Sequence, residues 1–106
     1  MNKPRSNDEV TTLIRHEAAR VRVMKLAALT ASPAHYHTHV HEYIVCLEGR
    51  LSVFTGDGAA EAVLSPGDHA SIRKQIVHWL RNESDTESKY LLTQSGGEYD
   101  FIETAQ

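Results

Sequence analysis

The stretch HYHTHVHE, residues 35–42, places four histidines at alternate positions ahead of a carboxylate. Alternate side chains of an extended strand point to the same face, so the four imidazoles would share one side of a sheet. The unperturbed pKa of histidine is about 6.5, and neighbouring imidazolium charges lower it, which favours the neutral, metal-binding form. The spacing therefore indicates metal ligation.

Glu42 is out of phase with these histidines, because its number is even and theirs are odd. A regular strand would point its carboxylate to the opposite face. For Glu42 to join the ligands, the chain must turn or bulge at residues 39–41, so that one strand ends near Thr38 and another begins at Glu42. Ile44 and Cys46 then share the face of Glu42 and are expected to line the interior.

The rest of the chain shows almost no helical periodicity. Short segments with β-branched and aromatic residues alternate with turn sequences such as Pro66-Gly67-Asp68. The expected strands cover residues 10–16, 20–29, 35–38, 42–48, 50–55, 60–64, 69–73, 77–82, 88–94 and 98–102. Short strands at roughly ten-residue spacing predict an all-β sandwich or barrel.

Length and charge restrict the function classes. The 106 residues suit one domain, with a core at about residues 10–94 and loose residues 1–8. The net charge of -3 and the scattered basic residues give no nucleic-acid surface, and no apolar run is long enough to span a membrane. The single cysteine, Cys46, fits a reducing compartment, so we expect a cytoplasmic protein, and a barrel this small is expected to form a homodimer.

A second segment, residues 67–82, supports a site shared between distant parts of the chain. With it, the sequence resembles the cupins, whose two motifs are G-x5-H-x-H-x(3,4)-E-x6-G and G-x5-P-x-G-x2-H-x3-N. The residues that fit the first motif are His35, His37, Glu42 and Gly49. Those that keep the spacing of the second are Gly67, His78 and Asn82.

Three motif glycines or prolines are replaced, by Leu29, Arg73 and Gln75. Altered turns are therefore expected before His35 and before His78. The extra histidines also permit another register, with His37 and His39 as the pair, although it brings the pair too close to Glu42 for the cupin spacing.

The resemblance implies an antiparallel double-stranded β-helix, or jelly-roll barrel, that holds one divalent transition metal. The expected ligands are His35, His37, Glu42 and His78, with His39 and His41 as alternates. Such a set suits Fe, Mn, Ni, Cu or Zn, and the lack of a thiolate cluster disfavours a structural zinc site. The expected substrate pocket is lined by Ile44, Cys46 and Leu80.

Three functions fit this site. The favoured one is a mononuclear metal-dependent enzyme that oxidises a small organic substrate as a dioxygenase does, with isomerase, decarboxylase or lyase chemistry as a variant. The second is a non-catalytic cupin that binds a small molecule, a sugar or a metal as a sensor or accessory protein. The third is a structural barrel with incidental histidines. No general acid or base beyond the ligands can be named, and residues 99–102 are expected to pack on the barrel or on another chain.

Overall fold

The computed structural model describes residues 7–16, 18–56 and 60–104, which contain ten β-strands. The strands are β1 (Asn7–His16), β2 (Ala19–Leu26), β3 (His35–Tyr36), β4 (His41–Glu48), β5 (Leu51–Thr55), β6 (Ala60–Leu64), β7 (His69–Ile72), β8 (His78–Arg81), β9 (Ser88–Ser95) and β10 (Ile102–Glu103). Within the described ranges, no helix has the length and apolar character needed to cross a bilayer.

The strands form two five-stranded sheets with antiparallel neighbours. The first sheet has the order β1-β2-β9-β4-β7, and the second has the order β10-β3-β8-β5-β6. Consecutive strands such as β3 and β4 lie in different sheets, so the chain crosses repeatedly between the two layers. The expected all-β, antiparallel jelly-roll fold is confirmed.

Alternation of buried and exposed residues explains why these segments form strands of a barrel. Every second residue of β9 is buried, and β4 alternates in the same way from Glu42 to Cys46. The apolar residues on the inner faces form one core, which consists of Met24, Leu26, Ile44, Cys46, Leu51, Val53, Leu64, Ile72, Leu80, Tyr90 and Leu92.

The strand boundaries differ most at the two ends of the chain and around the histidines. β1 begins at Asn7, so residues 7 and 8 lie in a strand that was expected to start at residue 10, whereas residues 1–6 lie outside the described residues. β3 ends at Tyr36, two residues before the expected Thr38. β4 begins at His41, next to the expected Glu42, so the predicted turn between the two strands is present.

The two turns that lack the motif glycines keep a left-handed backbone. Leu29 has φ 57° and Gln75 has φ 69°, in the region where glycine is the usual residue. The backbone N–H of Gln75 donates a hydrogen bond to the carbonyl of His37 at 2.7 Å, which fixes this turn ahead of His78. Both replacements therefore hold a conformation that glycine adopts more easily, and the expectation of altered turns before His35 and before His78 stays a prediction.

Candidate metal centre

Four side chains from both sheets meet inside one end of the barrel. His35 on β3 and His78 on β8 are directly paired across the second sheet, and Glu42 on β4 comes from the first sheet. His37 lies in the loop after β3 and points to the same place. One potential donor atom from each of the four residues lies within 4.8 Å of the others, and all four residues are buried.

Backbone carbonyls orient all three imidazoles. The Nδ1 atom of His35 lies 2.7 Å from the carbonyl of Pro33, and that of His78 lies 2.9 Å from the carbonyl of Ile76. His37 makes the same contact with the carbonyl of Asp100. A carbonyl only accepts hydrogen bonds, so each Nδ1 carries a proton and donates it. Nε2 is therefore the ring nitrogen that each histidine can offer to a metal once it holds no proton, as in proteins whose metal-binding histidines are held by their other ring nitrogen.

Glu42 joins two of the histidines through its two oxygens. Its Oε1 lies 2.6 Å from His37 Nε2, and its Oε2 lies 3.0 Å from His78 Nε2. Burial alone would raise the pKa of Glu42, but the hydrogen bonds from the two histidines outweigh it and hold this pKa well below its usual range. The carboxylate is therefore ionised and ready to bind a cation.

The pKa values of His35 and His37 move in opposite directions. Burial, and then the charge of His78, lower the pKa of His35 to about 4. Burial also acts to lower the pKa of His37, but the hydrogen bond to Glu42 and the charge of that carboxylate outweigh it, so the pKa is raised. At neutral pH, His35 is thus free of a proton on Nε2, whereas the raised pKa of His37 favours its protonated form, with which a metal would compete.

This donor set fits a divalent transition metal. Metal–nitrogen and metal–oxygen bonds are about 2.0–2.2 Å long, so ligand atoms on opposite sides of one ion lie about 4 Å apart, near the spread seen here. Three imidazoles and a carboxylate suit Fe, Mn, Ni, Cu or Zn. That His35, His37, Glu42 and His78 bind a metal stays a prediction, but the structure brings all four together.

The remaining histidines lie outside this cluster. His39 is exposed, and His41 is half-buried and accepts a hydrogen bond on Nδ1 from the backbone N–H of Lys74 at 3.2 Å. His16 and His69 are exposed on the surface. The geometry therefore favours the register with His35 and His37 over the one with His39.

A cavity of about 290 Å³ adjoins the four side chains. Leu80, one of the three expected pocket residues, lines it. Ile44 and Cys46 point into the barrel as expected, but they are fully buried in the apolar core and are not among the lining residues. Their placement in the substrate pocket is therefore corrected to the core.

Three polar residues behind Glu42 were missed by the sequence analysis. Gln94 on β9 is paired with Glu42 across the first sheet, and its Nε2 donates to Glu42 Oε1 at 2.8 Å. Its Oε1 accepts hydrogen bonds from Arg22 at 2.9 Å and from Arg20 at 3.2 Å. A signal was present in the sequence, because Gln94 is a polar residue at an inward position of β9, and the two preceding inward positions hold Tyr90 and Leu92.

The segment Tyr99–Phe101 covers the cluster from the open end of the barrel. The Phe101 ring stacks on His35, with centroids 4.1 Å apart and an interplanar angle of 16°. The ring centroids of Tyr99 and His37 lie 5.4 Å apart. The guanidinium of Arg20 lies 3.5 Å from the centroid of the Tyr99 ring. Asp100 Oδ1 accepts a hydrogen bond from the N–H of Thr38 at 2.7 Å. Of the two packing modes left open by the sequence, the structure shows packing on the barrel.

Comparison with known proteins agrees with this architecture. A protein-family model described as the cupin domain matches residues 22–93, a range that includes all four clustered side chains. The chain belongs to the cupin family. No protein of curated function matches the sequence of this cupin at a significant level.

Several solved structures share the fold of this cupin. A double-stranded β-helix protein from Klebsiella pneumoniae has a TM-score of 0.82 and 17% identity, and the match covers 98% of this chain and 90% of that one. An oxalate oxidase has a TM-score of 0.80 and 16% identity over 96% of this chain but only 57% of its own. A cupin-superfamily sugar phosphate isomerase from Silicibacter pomeroyi has a TM-score of 0.67 and 18% identity, over 82% and 68% of the two chains. Identities this low show the fold alone, and one fold hosts different reactions.

Proposed function

We propose that this cupin is a mononuclear metal-dependent enzyme that oxidises a small organic substrate in a dioxygenase-like reaction. The observation that carries the proposal is the orientation of the three imidazoles. Each Nδ1 donates to a carbonyl, which leaves the Nε2 atoms of His35, His37 and His78 to bind one ion together with Glu42. A structural barrel with incidental histidines has no need for three such contacts.

A divalent metal bound here would act as a Lewis acid toward a substrate oxygen and, if it were Fe, Mn, Ni or Cu, could take part in redox chemistry. The chain itself supplies the rest. Gln94 holds Glu42 Oε1 in place, and Phe101 and Tyr99 restrict the access of water to the ligand histidines. The cavity gives room for a small molecule beside the ligands.

A non-catalytic cupin is the second candidate, and one observation favours it. Apart from the expected ligands, the titratable side chains that line the cavity are Arg22, Tyr99 and Glu103. None of these forms a pair suited to general acid–base work in the described structure, so isomerase, decarboxylase or lyase chemistry would depend almost wholly on the metal. Turnover with and without O₂ would separate an oxidase-type enzyme from the other classes.

The test of metal binding uses protein purified without a histidine tag. We expect about one equivalent of metal per chain, or its recovery after adding Fe(II), Mn(II), Ni(II), Cu(II) or Zn(II) to stripped protein. The His35→Ala variant should lose stoichiometric binding, because a buried ligand is removed. The matched His41→Ala variant should bind as the unchanged protein does, because His41 lies outside the cluster. Failure of all five metals to bind, or an exchange of the two variant results, would overturn the proposal.

We also propose that the protein forms a homodimer through the outer face of the first sheet. The neighbouring residues Val23, Leu91 and Val45 form an apolar row across β2, β9 and β4, and Tyr43 beside them is 54% exposed. An apolar face of this kind is typical of a protein interface. Light scattering should give a dimer mass for the unchanged protein and a monomer mass for Tyr43→Arg. A monomeric unchanged protein would contradict this proposal.

A cytoplasmic location is part of the same proposal. Cys46 is the single cysteine and is buried, so the chain has no intramolecular disulfide to gain in an oxidising compartment. Fractionation of cells that express the protein tests this location, and its recovery outside the cytoplasm would contradict it.

A further inference from the structure

Two arginines occupy inward positions of the barrel, where an apolar residue is the usual choice. Along β2 the inward face continues to Met24 and Leu26, which are buried in the core. Arg20 and Arg22 hold the same register at the metal-centre end of the strand, and Arg22 lines the cavity. Its side chain is only 12% exposed. Placing two like charges side by side in this position is unfavourable unless an acceptor compensates them.

The described structure offers these guanidinium groups few acceptors. Both donate to the same neutral atom, Gln94 Oε1, and the carboxylate paired with Arg22 is Glu9, at 3.4 Å on an exposed part of β1. Within the described residues, no ion pair joins Arg20 to a carboxylate. Among the residues that the structure describes, the Nε atoms of both arginines are buried without a hydrogen-bond partner. A guanidinium has five donors, so several of them are left for a ligand.

Arg22 also lies close to the proposed metal ligands. A single side chain, Gln94, links Arg22 to Glu42 by hydrogen bonds of 2.9 Å and 2.8 Å. A short molecule in the cavity can therefore reach both the guanidinium and the metal centre. Its carbon skeleton would lie against the apolar lining residues Met24, Leu80 and Leu92.

We propose that the substrate of this cupin is a small organic acid whose carboxylate binds Arg22. The planar fork of a guanidinium matches a carboxylate in a two-bonded arrangement, and such charge-assisted bonds are about twice as strong as neutral ones. Arg20 adds positive charge at the same end of the cavity and, through Gln94, helps to hold Arg22 in place. The inference rests on the proposed function, because it names the substrate class of the same site.

The test compares each acid with its uncharged amide of nearly equal shape. Zn(II)-loaded protein is titrated by calorimetry with glycolate, lactate, succinate and glutarate, with the matching amides, and with inorganic phosphate. We expect at least one acid to bind about 10-fold more tightly than its amide, the effect of one charge-assisted contact. The proposal is overturned if no acid exceeds its amide, or if phosphate binds more tightly than every acid.

Variants assign the effect to the arginine. Arg22→Gln should bind the preferred acid no better than the amide while keeping its metal content, and Arg22→Lys should keep part of the preference. Arg50→Gln is the matched control, since Arg50 is exposed on the surface and should bind as the unchanged protein does. Equal acid affinity in Arg22→Gln and Arg50→Gln would assign the preference elsewhere and overturn the proposal. If Arg22→Gln does not fold, the acid and amide comparison in the metal-free unchanged protein decides, because no metal then attracts the carboxylate.

Failure of the metal proposal would be visible separately. It would appear as unchanged protein that binds none of the five metals in a stoichiometric amount. The preference for an acid over its amide is then measured in the metal-free protein, where Arg22 should still supply it, with weaker binding overall. Absence of the preference in both forms contradicts the carboxylate site, whatever the metal result.

Discussion

The two ends of the barrel interior follow the same strand register but have opposite chemistry. On β4 the inward residues run from Glu42 at one end to Ile44 and Cys46 at the other, and on β9 they run from Gln94 to Leu92. We call these the polar end and the apolar end. All of these side chains are buried, so burial alone does not distinguish a functional site from a core.

The difference shows what each end contributes. The apolar end stabilises the fold, because buried hydrocarbon gains about 25 cal/mol for each Å² removed from water. The polar end gathers ionisable groups whose burial is unfavourable without partners, and every ligand candidate there has one. We infer that the apolar end supplies the stability that lets the polar end hold its reactive groups in place.

The largest expected effect comes from the apolar end. Leu51 is fully buried at one end of β5. Thr55, which pairs with His78, lies at the other end of this strand. Leu51→Ala should lower the free energy of unfolding of the metal-free protein by about 2–5 kcal/mol, because it leaves a cavity in the core. Metal content at saturation should stay the same. Urea unfolding and metal analysis measure the two quantities, and a loss of metal content in folded Leu51→Ala would show that the two ends are not separable.

The polar end should make stability depend on pH. The folded pKa of His35 is about 4 and the unfolded value is about 6.5, so the unfolded chain binds more protons between these values. Stability of the metal-free protein should therefore fall as the pH drops through this window, by about 3 kcal/mol in total. Urea unfolding at a series of pH values measures the slope.

The neighbouring groups act in other pH windows. The raised pKa of His37 gives stability that is present below about pH 6.5 and is lost as the pH rises through the folded value. The lowered pKa of Glu42 gives stability that is lost only below about pH 4.5. His35→Gln, which cannot titrate, should have a much flatter profile between pH 6.5 and pH 4. An unchanged slope in this variant would show that another group is responsible.

A smaller effect, on metal affinity, is expected from changes in the segment Tyr99–Phe101, which covers the polar end. Phe101→Ala removes the ring stacked on His35, and aromatic contacts of this kind are worth about 0.5–1.5 kcal/mol. Metal affinity should therefore fall about 3- to 10-fold, as measured by competition with a chelator. Ile102→Ala is the control, because its exposed side chain follows Phe101 without covering the ligands. An equal loss in both variants would contradict a specific role for the Phe101 ring.

The smallest effect is expected at the turn before His78. Gln75 holds a left-handed conformation with φ 69°, which is unfavourable by about 1 kcal/mol for residues other than glycine. Gln75→Gly removes this strain but increases the freedom of the unfolded chain, so a net gain of about 0.5 kcal/mol is expected. Gln75→Ala should give no gain. Thermal unfolding compares the variants, and a less stable Gln75→Gly would contradict the explanation.

Strand positions were largely predictable because they depend on local sequence, and the resemblance to the cupin motifs predicted the four side chains that the structure brings together. Alternation and turn residues located the strands, and the mismatch in phase between His35 and Glu42 predicted a turn that the structure contains. The depth of the cavity was not predictable, because it depends on how side chains from several strands fill the barrel. Ile44 was therefore placed in the pocket although it belongs to the core.

Local patterns could mark Gln94 as a polar residue at an inward position, but they could not show what the supporting residues of the site contact. Gln94 lies 52 residues after Glu42, and they meet only because β4 and β9 are neighbours in the first sheet. Asp100 lies 63 residues after His37, and its carbonyl reaches Nδ1 only through the return of the chain over the barrel. Contacts of this kind require the sheet order, which alternation and turns do not determine.

A crystal structure of the metal-loaded protein, with anomalous scattering measured at the absorption edge of the metal, tests the central claim most directly. The account predicts one metal ion, bound by the Nε2 atoms of His35, His37 and His78 and by a Glu42 oxygen, at about 2.0–2.2 Å. A metal bound by His39 or His41, or one located away from the polar end, would contradict it.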